Sequence, residues 1–173
     1  MDGLRVSARS WFVLSCRVRC DNWQARQPGA GLARAFSGLD RCPRSCRRLR
    51  LRAPAAPSSL DDAEAELDVA FPGDLRALYL ISDGVFDTSS QWFVIWPVAE
   101  LIKRNQAART TGSSTRHRLL AFGDDGTGAP FCVSPGQGPD VLFWNPILDE
   151  KTYLAPSLTS FWKAWTKGSL PPH

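Results

Sequence analysis

The sequence predicts an α+β fold: one domain over residues 49–168, built as a mainly antiparallel twisted sheet of about five strands with helices packed against it. Three observations predict it. Apolar residues recur at helical spacing in three separate segments, short aromatic and β-branched runs stand between clusters of Gly, Pro and Asp, and the last four such runs follow one another too closely for crossover helices.

Each element has a local cause. Leu60, Ala63, Leu67 and Phe71 form one stripe, Ser58 and Ser59 are N-cap residues, and Asp61, Asp62 and Glu64 put negative charge in the first turn. Pro72 opens a second helix with Leu75, Leu78 and Tyr79 inward, and Asp83-Gly84 closes it. Residues 92–96, Trp-Phe-Val-Ile-Trp, are a continuous run of β-formers; Pro97 stops the run and starts a helix whose Val98, Leu101 and Ile102 face inward. Residues 106–117 read as a polar loop. Residues 118–122, 131–134, 141–144 and 152–154 then read as four short strands, with turns at 123–128 and 135–139 rich in Gly, Asp and Pro. Leu158, Phe161, Trp162 and Trp165 fall at i, i+3, i+4 and i+7 of a closing helix that starts at Pro156-Ser157 and ends at Gly168. Residues 169–173 are a tail.

The chain has 173 residues and a formal charge of +4, but two dissimilar parts make up that charge. Residues 1–55 hold twelve Arg and no Lys against three Asp, a net of +9; residues 56–173 hold nine Lys and Arg against fourteen Asp and Glu, a net of −5. Residues 1–48 show no sustained period and are expected to hold no compact fold. This leader reads either as a basic arm with salt-dependent affinity for phosphates or as an inessential extension. Its cysteines pair as Cys16 with Cys20 and Cys42 with Cys46, a donor set a zinc ion would accept, although the intervening residues lack the glycines of a zinc knuckle; free thiols are the simpler reading. Cys132, on an expected strand, packs as a small hydrophobe. No stretch reaches the roughly 20 apolar residues of a spanning helix, and Trp11-Phe12-Val13-Leu14 is shorter than a signal-peptide core. The cytoplasm is the expected compartment.

Residues from about 50 to 168 resemble the SUKH superfamily, which includes the yeast Smi/Knr regulators of cell-wall assembly and bacterial immunity proteins of polymorphic toxin systems. The resemblance rests on Ala63-Glu64-Ala65-Glu66-Leu67, Phe71-Pro72-Gly73-Asp74-Leu75 and Ser82-Asp83-Gly84, continued by Trp96-Pro97, by Phe122-Gly123-Asp124-Asp125-Gly126-Thr127-Gly128 with Phe131, and by residues 141–144. Two departures stand out. Members usually carry a glycine after the first helix, where this chain has Asp68, and many begin with a short Trp-containing helix for which Trp23 is the one counterpart here.

The resemblance implies binding without catalysis: neutralisation of a cognate toxin by docking, or action as an interaction scaffold. Neither His117 nor His173 stands in a nucleophile or metal arrangement, so no catalytic residue, metal ligand or cofactor is assigned. His117 reads as a solvated side chain. The acidic net charge of residues 56–173 suits a basic protein partner, for which the loop carboxylates Asp83, Asp87, Asp124 and Asp125 are the candidate contacts. Nucleic acid is expected only through the leader, and a membrane not at all. Trp92, Trp96, Trp144, Trp162 and Trp165 read as core, with one or two free to anchor a partner.

Overall fold

The computed structural model describes residues 49–110 and 115–170. The leader, its four cysteines and Trp23 lie outside the described residues. Seven strands form one sheet in the order of the chain, each antiparallel to the next. They are β1 (Leu49–Leu51), β2 (Val85–Asp87), β3 (Trp92–Ile95), β4 (Leu120–Asp124), β5 (Pro130–Val133), β6 (Val141–Asn145) and β7 (Glu150–Ala155). The described helices are α1 (Pro57–Leu67), α2 (Gly73–Tyr79), α3 (Val98–Arg109) and α4 (Leu158–Lys167), with a 3-10 turn at Arg116–Arg118. The α+β expectation holds, with two strands more than the sequence revealed. Both extra strands, β1 and β2, are three residues long, too short to display a period of two.

The helix boundaries follow local chemistry, with three corrections. Helix α1 starts at Pro57 behind Ala56, so Ser58 and Ser59 lie inside its first turn instead of capping it, and Asp61, Asp62 and Glu64 fall beyond that turn. Asp68 takes the place of the expected glycine: it adopts φ 47°, its N–H reaches Ala65 O, and the N–H of Val69 returns to Glu64 O. Asp tolerates this left-handed position better than most residues, so the helix stops without Gly. Helix α2 ends at Tyr79, before Gly84, which instead lets two segments approach: a Cβ there would lie 2.9 Å from Pro97 N. Glu64 ties α1 to α2, accepting from Phe71 N–H at 2.6 Å and from Arg76 Nη1 at 2.6 Å.

The strand expectations shift by a few residues. Residues 116–118 turn as a 3-10 helix, so β4 begins at Leu120, and Arg116 is buried although the sequence reads it as polar loop. Strand β3 pairs with β4 at Ile95↔Gly123, where a Cβ on Gly123 would fall 1.9 Å from Val94 O. Beyond that point α3 runs beside β4, and Asn105 takes over the ladder. Its side chain donates to Ala121 O and Leu101 O at 2.8 Å each and accepts from Ala121 N–H and Arg116 Nη2 at 2.9 Å each.

The core lies between the sheet and the helices. Phe131 on β5 is its centre, with Phe161 at 4.8 Å and Trp165 at 5.2 Å between ring centroids, both edge-on from α4. Helix α4 is held as the sequence indicates: Ser157 Oγ accepts from Ser160 N–H, and Gly168 takes φ 65°. Tyr79 is fully buried and donates to Trp96 O at 2.9 Å.

Candidate interaction surface

The four candidate carboxylates all hold backbone or side-chain donors of their own chain. Asp83, half-buried, accepts from the N–H of Val98 at 2.7 Å, placing negative charge at the positive end of α3. Asp87 is buried, and its Oδ1 accepts from Ser89 N–H, Ser89 Oγ and Ser90 N–H, which shapes the β2–β3 turn. Its Oδ2 and the Nε1 of Trp92 directly across the ladder are buried without a hydrogen-bond partner among the described residues. Asp124 is buried and accepts from Trp96 Nε1 at 3.0 Å, Arg104 Nη1 at 3.3 Å and Gly126 N–H at 2.8 Å. Asp125, half-buried, accepts from the N–H and Oγ1 of Thr127. The turn reading of Asp124 and Asp125 therefore has a geometric basis.

The structure groups three of the four and separates the fourth. Asp87 faces Trp92, a Cβ on Gly126 would meet that indole at 2.9 Å, and so Asp87, Asp124 and Asp125 gather at one end of β3. Asp83 sits by Pro97 and α3 at the other end.

A second surface escaped the sequence reading. Register places Ala121, Cys132, Leu142 and Tyr153 in one row across four strands, on the face opposite the main core. Trp96, Leu119, Ala121 and Cys132 are buried there, with half-buried Phe93, Leu142 and Trp144 against them. Every one of these residues comes from a strand or from the chain just beside one, and α3 reaches the cluster through Arg104. Arginines lie over its rings: Arg104 over Trp96 at 4.5 Å, Arg52 over Phe93 at 5.8 Å and Arg116 over Trp144 at 5.8 Å. Burial pushes the Cys132 thiol up to about 12, against the opposing pull of the Arg116 guanidinium, so the thiol stays protonated and inert. Burial in turn lowers Arg116. Farther along, the β6–β7 turn lifts Ile147 and Leu148 into solvent, 89% and 64% exposed. Asn145 Oδ1 accepts from both of their N–H groups, and Asp149 accepts from Trp144 Nε1 at 3.0 Å.

Of the five tryptophans read as core, Trp162 and Trp165 belong to the helix-side core and Trp96 to the second cluster, while Trp92 and Trp144 are half-buried. His117 is exposed. Among the described residues no group of three or more His, Cys, Asp or Glu could hold a metal ion, and no helix is long and apolar enough to cross a membrane.

A seven-stranded antiparallel meander with helices on one face, and with carboxylates spent on its turns, defines an α+β domain that presents loops and an open sheet face. The family model for SMI1 / KNR4 (SUKH-1) matches residues 54–163, and the chain belongs to that family. The match runs from the approach to α1 into α4. No curated protein matches the chain.

Proposed function

We propose that this chain is a non-enzymatic, protein-binding immunity protein that neutralises a cognate toxin in the cytoplasm by direct docking. The observation that carries this reading is the family match across residues 54–163, almost the whole described domain. Charge adds to it. The net −5 of residues 56–173 favours encounter with a basic toxin domain, and long-range attraction of this kind raises association rate more than final affinity. The half-buried Asp83 and Asp125 are the loop carboxylates that meet the partner, with Asp87 and Asp124 fixing the turns behind them.

The test uses the purified full chain and a panel of basic nuclease toxin domains. Stoichiometric binding that abolishes nuclease turnover is the expected result with the cognate member. A chain that binds wall-assembly enzymes or kinases and inhibits no toxin would instead be a regulatory scaffold of the cell-wall type. Retention of nucleic acid that disappears when residues 1–48 are removed would assign the activity to the basic leader.

A further inference from the structure

The open face of the sheet differs in charge from the rest of the domain. Helices α1 and α2 with their flanks carry Asp61, Asp62, Glu64, Glu66, Asp68 and Asp74. On the opposite side, register puts Arg50 beside Phe86 and Phe86 beside Phe93, Arg52 lies over Phe93, and Lys151 stands directly across from Trp144. Arg50, Arg52 and Lys151 are exposed and make no ion pair among the described residues. Two carboxylates bonded to the rings of this face, Asp124 and Asp149, accept from Trp96 and Arg104 and from Trp144. The surface is thus apolar at its centre and cationic at both edges.

We propose that this face is the docking surface for an acidic, apolar segment of a partner protein. The partner's carboxylates pair with Arg50, Arg52 and Lys151, while its apolar side chains cover Phe93, Leu142 and Tyr153. Tyr153 is 53% exposed and Leu142 half-buried, so an apolar contact removes surface that now meets water. The Arg-rich residues 1–48 share the sign of the face and make a poor cover for it. A protein segment fits better than nucleic acid, because residues 49–173, with Arg50 and Arg52 counted, still carry a net of −3 that repels a polyphosphate at long range, whereas a few local carboxylates meet mainly the near cations. The assignment rests on the reading of the chain as a protein-binding domain, and specifies the surface and the chemistry of what meets it.

The experiment is selection of a phage-displayed random peptide library on the immobilised full chain, followed by titration of synthetic selected peptides. The same peptides are titrated against an Arg52→Glu, Lys151→Glu double variant and a Tyr153→Ala variant, each with an unchanged circular-dichroism melt. Selected peptides should be enriched in Asp and Glu beside aliphatic or aromatic residues, and should bind the double variant roughly tenfold more weakly. Peptides that bind both proteins equally would overturn the face while leaving a binding function in place. Selection of no peptide at all would count against the protein-binding reading itself. Tighter binding of a 15-residue oligothymidine than of any selected peptide, lost in the double variant, would give the face to single-stranded nucleic acid and overturn the protein partner.

Discussion

Two neighbouring rows of the sheet run across the same four strands and end in opposite environments. Leu120, Val133, Val141 and Ala155 lie under the helices and are all buried. Ala121, Cys132 and Leu142, each one residue from its counterpart, and Tyr153, two residues from Ala155 across the irregular β6–β7 register, pass from buried to half-buried to exposed on the open face. Strand geometry alternates side chains between faces, so a one-residue step decides which environment a side chain meets. This sheet therefore has one core that holds the fold and one smaller apolar cluster with room for contact. Cys132 and Tyr153 are both apolar in bulk, yet the first is sealed beneath Trp144 and Arg116 while the second is left open.

The strongest test strikes the covered side. Phe131→Ala removes the ring at the centre of the α4 contact, and should cost about 3–5 kcal/mol in urea unfolding, enough to leave a marginal domain. Next comes the hinge between the faces. Asn105→Ala strips the side chain that satisfies both backbone groups of Ala121 and one guanidinium nitrogen of Arg116, with an expected loss of about 2–3 kcal/mol by the same measurement. A loss below about 0.5 kcal/mol would mean that β4 needs no surrogate there.

An alkaline titration examines the sealed part of the open face. The folded thiol of Cys132 sits at about 12, above its ordinary 9.0, so the folded chain keeps a proton that the unfolded chain sheds. Stability from this group is complete below pH 9 and is lost as pH climbs from 9 toward 12. Tyr79, raised well above 10.0 by burial and by Asp83, adds to the decline above pH 10. Urea midpoints should therefore fall above pH 9, and Cys132→Ala should blunt the first part of the fall; an identical slope in the variant would show that Cys132 is not sealed. The smallest effects belong to the exposed end. Tyr153→Ala and Leu148→Ser should each change stability by less than about 0.5 kcal/mol. If either matched Phe131→Ala, the open face would be a second core.

Much of the fold could be read from local chemistry. The stripe of α4, its Ser157 cap and its Gly168 end each declare themselves within one helix, and β3, β5 and β6 are runs of strong β-formers between turn residues. β1 and β2 leave no signal because three residues show no period, and β4 begins at Leu120, later than its expected start at 118, because Arg116–Arg118 forms a 3-10 turn that Asn105 and Leu119 hold from outside. Asp124 illustrates the limit at the candidate surface. Its place in a Gly-rich turn is local, and Asp125 beside it bonds within two residues, but the bond to Trp96 Nε1 joins residues 28 apart in sequence.

The sequence by itself determined the α+β class, the helix faces, most of the strands and the acidic sign of residues 56–173, because periodicity, capping and charge act over a few residues. Tertiary structure decided which face of the sheet the helices cover, which carboxylates are spent on internal donors, and that Arg50, Arg52 and Lys151 share a surface with Phe93 and Tyr153. Those outcomes depend on strand register and on contacts between residues far apart in the chain. A single-residue change of register would have exchanged the two faces.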